Sequence, residues 1–342
     1  MEYVTLGKTG LKVSRVGLGG IPIQKSSAGE VKELLYVLKE KGVNYIDTAR
    51  GYTVSEELLG QGLEGIREEF VLATKSRAGT KEAMAKDIET SLHNLRTDYI
   101  DLYQVHNPSM EDLDAIVGED GALEALLAAK EAGKIGHLGL TAHALEVFER
   151  ALTLDWVETI MFPYNIVESQ GEDLMRKCTE KNVAFIAMKP LAGGAIEDAR
   201  LALRYICANP DVTVVIPGMY SLKEAEQNLG ASEDTSGITG EEQEQFEQVR
   251  KQLGTNFCRR CNYCQPCTAG ISISDVFLLA GYLQRYDLGE WSYERYKALP
   301  VKPEACVDCG ACETRCPYHL PIRRMLKKSG KDFAEYEKER MM

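Results

Sequence analysis

Short apolar runs alternate with amphipathic helical segments along the chain as far as residue 232. Eight of these runs have the length and composition of buried strands. In order, they are RVGLGG, VNYIDTA, FVLATK, YIDLYQVH, IGHLGLT, ETIMFPY, AFIAMKP and TVVIPG. Several of the segments between them, such as SAGEVKELLYVLKEKG, begin with Ser, Thr or Gly and end at Gly, as helix caps do. Eight βα units predict an α/β fold, a (β/α)8 TIM barrel, preceded by a β-hairpin formed by YVTLG and LKVSR.

A doubly wound open sheet is the alternative interpretation of the same alternation. Such a sheet normally carries GxGxxG in the turn after its first strand. The corresponding turn here reads GLGGIPIQ and lacks that spacing. The turn therefore favours the barrel.

Four polar side chains lie at or just after the carboxyl ends of successive predicted strands, where barrel enzymes place their chemistry. Asp47 closes the second strand, Lys75 the third and His106 the fourth, and Tyr52 follows in the loop after the second strand. A free tyrosine has a pKa of about 10, and a neighbouring ammonium lowers that pKa by favouring the phenolate. With Asp47 paired to Lys75 and His106 bonded to a substrate oxygen, the set predicts a proton donor for carbonyl reduction by hydride. Taken singly, each residue is as easily a cap, a solvated side chain or a packing residue.

The blocks YIDTARGYTVSEELLG, VLATKS and DLYQVHNP together resemble the aldo-keto reductase superfamily. The resemblance extends from Met1 to about residue 232 and includes ALRYICANPDVTVVIPGMYSLKEAEQN. It implies a barrel closed at its base by the hairpin. It also implies Tyr52 as general acid/base, tuned by Lys75 and Asp47, with His106 orienting the carbonyl of a small-molecule substrate.

The same resemblance implies NADH or NADPH as cofactor, extended across the barrel mouth. KPLAGG offers a lysine and two flexible glycines, and the helix start within IPGMYSLKEAEQN is a general anion site. The implied contacts are Thr141, Lys189, Gly193, Gly194, Pro217, Gly218, Ser221, Gln227 and Asn228.

Departures from the family pattern bear on the nicotinamide end. Thr141 and Ala142 stand where many relatives have Ser-Asn to hold the carboxamide. Met161 replaces a Gln, and Met188 replaces a Tyr that stacks on the ring. A methionine side chain can pack against the nicotinamide ring but cannot bind the carboxamide as Asn or Gln does.

A further departure concerns the 2′-phosphate of NADP. Gly218, Met219 and Glu224 stand where relatives that prefer NADP often have Lys, Ser and Arg. A carboxylate facing a phosphate dianion repels it. The sequence therefore predicts weak or absent NADP preference.

Eight of the ten cysteines follow residue 257, in the runs CRRCNYCQPC and CVDCGACETRCP. C-x2-C-x2-C surrounds three corners of an iron–sulfur cubane, and the ending of the second run is the bacterial ferredoxin signature. The predicted ligands of two [4Fe-4S] clusters are Cys258, Cys261, Cys264, Cys267, Cys306, Cys309, Cys312 and Cys316. By the rule for two-cluster ferredoxins, Cys316 would complete the first run's cluster and Cys267 the second's. The first run departs from the pattern, with two residues before Cys267 and no Pro after it.

Structural zinc is the alternative for these cysteines. Zinc sites usually take C-x2-C pairs separated by a longer loop. Two runs of consecutive x2 spacings are poor geometry for that arrangement. The spacing therefore favours clusters over zinc.

The break in composition after the polar helix GEEQEQFEQVRKQLG predicts a barrel domain at 1–253 and a second domain at 254–342. Between the cysteine runs, ISISDVFLLAGYLQRYD and SYERYKAL predict helices, so the small ferredoxin-like domain is expected to be mainly α-helical. The arrangement resembles aldo-keto reductases fused to a C-terminal 4Fe-4S dicluster domain. The end of the chain, LPIRRMLKKSGKDFAEYEKERMM, predicts a solvated charged helix.

The formal net charge of −12 makes nucleic acid and anionic membranes poor partners, and could favour a basic redox partner protein. No apolar run reaches the length of a membrane span, and MEYVTLGKTGLKVSRVGLGG lacks the features of a secretory signal. A cytoplasmic location is therefore expected. Cysteines in that compartment indicate metal or redox chemistry rather than disulfides.

Two roles for the clusters are open. They could relay electrons to or from the barrel site, or the module could be a structural cap. Clusters move single electrons whereas nicotinamide moves a hydride, so a relay needs a converter such as a flavin. No flavin signature is present, so a flavin would have to come from a partner or be bound without a signature. Two clusters form a natural wire, which favours the relay.

Radical chemistry on S-adenosylmethionine needs an iron without a protein ligand, and eight cysteines for two clusters leave none. A non-enzymatic alternative is an iron–sulfur electron-transfer protein on a degenerate barrel. The substitutions Ala142, Met161 and Met188 favour it, and the complete set of four polar residues opposes it.

Overall fold

The computed structural model describes residues 1–232 and 236–341, and in this part of the chain eight strands form one parallel sheet. A separate antiparallel hairpin precedes the sheet. The hairpin strands are β1 (Tyr3–Thr5) and β2 (Lys12–Ser14), and the sheet strands are β3 (Leu18–Gly19), β4 (Tyr45–Asp47), β5 (Val71–Ser76), β6 (Ile100–His106), β7 (Ile135–Thr141), β8 (Thr159–Pro163), β9 (Ala184–Met188) and β10 (Val214–Ile216). Neighbours in the sheet are neighbours in sequence.

The first and last strands of the sheet meet and close it into a barrel. Gly17 N–H donates to the Val215 carbonyl (2.9 Å), and Gly19 N–H donates to the Pro217 carbonyl (2.8 Å). A Cβ atom at Gly19 would lie 2.8 Å from the Ile216 carbonyl oxygen, so this seam requires glycine. The predicted (β/α)8 barrel is confirmed.

At least one helix follows each barrel strand and returns the chain to the next. The helices are α1 (Ala28–Glu40), α2 (Ser55–Gly62), α3 (Lys81–Asn94), α4 (Met110–Val117), α5 (Ala122–Glu131), α6 (Leu145–Ala151), α7 (Glu172–Glu180), α8 (Ala199–Cys207) and α9 (Leu222–Ser232). Helix α1 is typical: Ser27 and Glu30 form a capping box, and its inner face buries Val31, Leu34 and Leu38.

The hairpin contributes to the core inside the barrel. Its predicted pairing is confirmed, with Val4 opposite Val13. Leu6 and Val13 are fully buried in one cluster with barrel residues such as Ala73 and Ile186. The hairpin therefore packs against the barrel interior rather than lying on the surface.

Two compact units are present. The first consists of Met1–Pro190 and Asp198–Thr239, and the second consists of Leu191–Glu197 and Gly240–Met342. The second unit is mainly α-helical, as predicted. Its helices are α10 (Gly240–Leu253), α11 (Ile273–Arg285), α12 (Gly289–Ala298), α13 (Ala311–Thr314) and α14 (Ile322–Met341). The domain boundary between residues 253 and 254 stays a prediction, since α10 groups with the second unit.

The C-terminal segment forms the helix α14, but the expectation that it is solvated throughout is wrong. Leu326 and Phe333 are each only 1% exposed. Phe333 stacks on Tyr296 with ring centroids 3.8 Å apart. Apolar residues at positions 322, 326 and 333 recur with helical spacing and bury one face of α14.

A half-buried carboxylate, that of Glu158, links the amino ends of β7 and β8. The Glu158 carboxylate accepts hydrogen bonds from Lys130 Nζ (2.7 Å) and Leu138 N–H (3.1 Å), and it contacts His137 Nδ1 at 2.7 Å. Burial opposes ionisation, but these three partners outweigh it and lower the pKa of Glu158 to about 2.

Replacing Glu158 with Gln should lower the free energy of unfolding at pH 7 by on the order of 2–3 kcal/mol. The folded pKa of about 2 lies below the ordinary value of 4.5, so the stabilisation is present above that value and is lost as the pH falls. Urea denaturation should show the difference from wild type shrinking as the pH drops from about 5 towards about 3. Glu149→Gln, at a side chain 68% exposed, is the control. A difference that does not vary with pH would contradict this assignment.

Candidate functional site

The four predicted catalytic residues lie at the carboxyl end of the barrel. Asp47 and His106 are the last residues of β4 and β6, and Lys75 is the penultimate residue of β5. Tyr52 lies in the loop between β4 and α2. Because adjacent parallel strands end at the same edge, three consecutive strands supply three of the four side chains.

A buried ion pair forms the centre of this set. Lys75 Nζ donates to the Asp47 carboxylate and to the Thr48 carbonyl oxygen (2.7 Å). Asp47 and Lys75 are each 2% exposed. Burial raises the pKa of Asp47 and lowers the pKa of Lys75, and the attraction between the two charges opposes both shifts.

Tyr52 packs against two other members of the set, Lys75 and His106. Lys75 Nζ lies 5.1 Å from the centroid of the Tyr52 ring. The His106 ring meets Tyr52 edge-on, with centroids 6.1 Å apart and an interplanar angle of 88°. The half-buried Tyr52 ring therefore lies beside both a cation and an imidazole.

The surroundings of His106 favour its neutral form. Burial lowers its pKa well below the usual value, and the positive charges of Lys75 and Arg77 lower it further. A neutral imidazole can donate one hydrogen bond without carrying a charge. His106 is thus suited to orient a substrate oxygen rather than to supply the proton.

Sequence reasoning missed Gln104. Its Nε2 donates to Asp47 Oδ2 at 3.0 Å, so the carboxylate is held between Gln104 and Lys75. Gln104 is fully buried and pairs in register with Lys75 on the adjacent strand. A signal was present, because Gln104 lies two residues before His106 and strand residues at this spacing share a face.

Sequence reasoning also missed Glu56, which anchors the helix that follows the Tyr52 loop. Its carboxylate is 1% exposed and accepts from Thr74 Oγ1 (2.8 Å), Ser91 Oγ (2.8 Å) and Arg50 Nη1 (2.9 Å). These bonds tie α2 to β5 and α3. The loop that carries Tyr52 is therefore fixed at its far end.

The eight clustered cysteines divide into two sets, each lining its own cavity. The first cysteine set is Cys258, Cys261, Cys264 and Cys316. The second cysteine set is Cys267, Cys306, Cys309 and Cys312. Each set takes three residues from one run and one from the other.

The surroundings of the first cysteine set fit a metal cluster. Burial raises the pKa of Cys258 to about 12 and that of Cys264 to about 11, and neighbouring thiols add to both shifts. Bare thiolates are therefore unfavourable here, and bound metal ions would favour them. Backbone N–H groups of Arg260 and Tyr263 point at Cys258 and Cys261, as donors to ligand sulfurs do.

The two cavities share one wall. Ile273, the first residue of α11, is fully buried and lines both of them. Within residues 1–232 and 236–341, no three His, Cys, Asp or Glu side chains converge closely enough to hold a single metal ion. Zinc would require such convergence, with sulfurs about 2.3 Å from the ion. Thiols spaced around a cavity fit a larger, multinuclear group.

Comparisons with known proteins agree with this architecture. Residues 15–201 match the Aldo/keto reductase family. The chain belongs to the aldo-keto reductase family. Residues 257–321 match the 4Fe-4S dicluster domain, which agrees with the second unit and its cysteines. In the described part of the chain, no helix is both long and apolar enough to cross a membrane.

Individual relatives cover the barrel. L-galactose dehydrogenase of Arabidopsis thaliana is 30% identical over 302 residues, covering 73% of this chain and 93% of that protein. Among solved structures, an aldo-keto reductase from Bacillus halodurans in its holo form matches with a TM-score of 0.64 and 25% identity, covering 73% of this chain and 96% of that one. A putative aldo-keto reductase from Pseudomonas aeruginosa matches with a TM-score of 0.61 and 29% identity, covering 67% and 94%.

In this aldo-keto reductase, two predicted nucleotide contacts lie at the ends of β7 and β9, the two strands on either side of β8. Thr141 ends β7, and its hydroxyl accepts from Asn107 N–H (2.9 Å). Lys189 directly follows β9 with a left-handed φ of +58°, and its carbonyl accepts from the buried Asn165 side chain (3.0 Å). Lys189 Nζ lies 3.5 Å from His143 Nε2. Lys189 is thus held in an uncommon backbone conformation by a buried partner.

At the start of α9, the position where a phosphate could bind is next to the carboxylate of Glu224. Glu224 Oε2 accepts from Tyr220 N–H (2.8 Å), and Ser221 Oγ accepts from Glu224 N–H (3.3 Å). Pro217 and Gly218 precede this turn at the end of β10. Backbone donors that could bind a phosphate are therefore shared with a fixed carboxylate.

The remaining predicted nucleotide contacts belong to the second unit and to helix α9. Gly193 and Gly194 belong to the second unit, where the Gly193 carbonyl accepts from Arg285 Nε (2.8 Å). On α9, Gln227 is exposed while Asn228 is 4% exposed. Their role in nucleotide binding stays a prediction.

The division of cysteines predicts a definite pattern of iron loss. Wild type should carry about eight irons per chain, and Cys309→Ser about four. Adding Cys267→Ser to Cys309→Ser should remove no more iron, because both residues line one cavity. Adding Cys316→Ser instead should leave close to none.

Iron and sulfide quantitation after anaerobic purification measures these values. The matched control is Cys178→Ser, at a fully buried cysteine outside both sets. Further iron loss on adding Cys267→Ser, with none on adding Cys316→Ser, would reverse the assignment.

Proposed function

We propose that this aldo-keto reductase reduces a carbonyl compound, or oxidises the corresponding alcohol, with Tyr52 as the proton carrier. The observation that carries the proposal is the buried Asp47–Lys75 pair, whose ammonium lies 5.1 Å from the centre of the Tyr52 ring. A positive charge at that position stabilises negative charge on the phenol oxygen. The Arabidopsis relative is named as a dehydrogenase, which supports including the oxidative direction.

Each residue of the site has a separate role in the proposed reaction. In the reductive direction Tyr52 Oη gives its proton to the carbonyl oxygen as negative charge develops there, and Lys75 stabilises the phenolate that remains. Asp47 holds Lys75 in place, and Gln104 holds Asp47. His106, neutral, donates a hydrogen bond to the same substrate oxygen. In the oxidative direction each step is reversed.

We infer that the cofactor is NADH rather than NADPH. When bound, the nicotinamide supplies or accepts the hydride at the carbonyl carbon. Thr141 would hold the nicotinamide half, and Lys189 with the turn Pro217, Gly218 and Ser221 would hold the phosphates. Glu224 would repel a 2′-phosphate near the start of α9.

The clusters are proposed to relay electrons rather than only to brace the fold. Two cysteine sets that share Ile273 as a common wall would place two clusters side by side, as in a wire. Since clusters carry single electrons, exchange with a hydride carrier needs a flavin or an equivalent group, from a partner or bound in the chain. A cytoplasmic location stays a prediction.

A second candidate function is electron transfer on a catalytically inactive barrel. The observation in its favour concerns Ala142 and Met161, which are both buried. Their side chains contain no nitrogen or oxygen that could hydrogen-bond to a carboxamide. The complete and hydrogen-bonded set around Asp47 opposes it, since an inactive barrel would have no need of a buried ion pair that is costly to desolvate.

Tyr52→Phe tests the catalytic assignment. It keeps the ring and removes the hydroxyl, so kcat/KM for NADH-dependent reduction of an aldehyde and quinone panel should fall by roughly 10²–10⁴-fold. The dissociation constant for NADH should be unchanged. Tyr36→Phe, at a tyrosine 41% exposed on α1, is the matched control. Equal rates for Tyr52→Phe and wild type would remove the proton-carrier role and favour the electron-transfer candidate.

The cofactor inference predicts that NADPH binds no more tightly than NADH. Glu224→Gln, which keeps an acceptor for Tyr220 N–H, should raise the affinity for NADPH several-fold and leave that for NADH unchanged, because only the charge is lost. Fluorescence titration gives both dissociation constants. Glu226→Gln, an exposed glutamate on the same helix, is the control. A wild-type affinity for NADPH ten times higher than for NADH would overturn the inference.

A further inference from the structure

The first half of α14 is strongly basic in a chain that is acidic overall. Residues 322–331 carry five cations and no carboxylate, whereas the formal net charge of the chain is −12. The cations are Arg323, Arg324, Lys327, Lys328 and Lys331. We call this segment the basic half of α14.

Helix stability does not account for this charge. The first turn of a helix favours carboxylates and disfavours cations, because the helix dipole is positive there. The first turn of α14 contains Arg323 and Arg324 and no acidic residue. The arrangement runs against the intrinsic preference of the helix.

Only part of the charge is neutralised within the chain. Arg323 pairs with Glu313 (2.8 Å) and Asp308 (3.4 Å). The Lys327 and Lys328 side chains, 62% and 66% exposed, pair with single carboxylates. Two further cations have no ion-pair partner among residues 1–232 and 236–341. They are Arg324 and Lys331.

The basic half of α14 adjoins the most exposed part of the second cysteine set. Asp308 accepts from both Arg323 and Lys327, which ties the loop Val307–Cys309 to the helix. Cys309 is the one exposed cysteine among the ten. Val307 beside it is 67% exposed, more than any other large apolar side chain in the described residues.

The first cysteine set presents no comparable surface. Cys264 and Cys316 are buried, and Cys258 and Cys261 are half-buried. Tyr263 is 55% exposed in the same loop, but neither adjacent cysteine is. Arg259 nearby is 7% exposed and stacks on Tyr318 at 3.9 Å. An electron would therefore enter or leave most readily at Cys309.

We propose that the basic half of α14, with Val307 and Cys309, is the docking surface for a small acidic electron-transfer protein. The inference rests on the proposed loading of the second cysteine set with an iron–sulfur cluster. One electron passes from the partner's reduced centre to the oxidised cluster, and no bond is made or broken. The cations steer the acidic partner, and the apolar side chain at Val307 allows close contact at the ligand sulfur.

Membranes and nucleic acids fit this surface less well. Neither would need an exposed cluster ligand at the centre of the contact. These two partners are outcomes of the test below.

The test uses the full-length, iron-loaded chain and a bacterial 2[4Fe-4S] ferredoxin of high negative charge as the probe. Calorimetry should give a dissociation constant that rises steeply with salt, since the contact is electrostatic. Lys328→Glu should weaken binding about tenfold at low salt and slow reduction by pre-reduced ferredoxin, with no effect on reduction by dithionite. Lys338→Glu makes the same charge change further along α14 and should have little effect.

A second readout does not depend on electron transfer. A carbodiimide joins lysine amines directly to partner carboxylates, and mass spectrometry should locate the cross-links at Lys327, Lys328 or Lys331. Cross-links elsewhere, or equal weakening by Lys328→Glu and Lys338→Glu, would overturn the docking surface. So would anionic vesicles or an oligonucleotide binding through Lys328 while ferredoxin does not bind. Iron content is measured first, so failure of cluster loading is distinguished from failure of docking.

Discussion

The buried ion pair between Asp47 and Lys75 is the interaction on which the barrel's chemistry depends. Burying two charges is costly, and their attraction offsets that cost only when the remaining hydrogen-bonding groups are also satisfied. Here the Thr48 carbonyl and the Gln104 side chain supply those bonds. Because neither charge can move without losing partners, the ammonium stays fixed beside Tyr52. A rigid positive charge stabilises an anion on the phenol without reorganising as it forms.

The members of this site differ in how far the sequence could reveal them. Asp47, Lys75 and His106 could be predicted because a parallel barrel brings strand ends together, and strand ends are readable from periodicity. Gln104 and Glu56 could not be assigned roles in the same way, because a polar residue within a strand or helix says nothing of its partner. Glu56 collects bonds from β5, α3 and the Tyr52 loop, which only the folded chain brings together.

The cysteine sets and the predicted nucleotide contacts show the same limit of prediction from the sequence. The ferredoxin rule predicted which run each of Cys267 and Cys316 would join, but the first run departs from the pattern. Which cavity they line depends on how the chain returns between the runs. Likewise KPLAGG reads as one phosphate loop, yet Lys189 stays with the barrel while Gly193 and Gly194 group with the second unit. Glu224 was readable as a poor neighbour for phosphate, but its bond to Tyr220 N–H was not.

Charge illustrates why composition is a weak guide to partners. If the charge were spread evenly over the surface, the net charge of −12 would favour a basic partner. Potentials at contact distance are set instead by the charges within about a Debye length of 8–10 Å. Around Cys309 those charges come from the basic half of α14, only partly neutralised by Asp308 and Glu313. A docking protein meets these nearby cations first, so a chain of negative net charge can still present a basic surface beside Cys309.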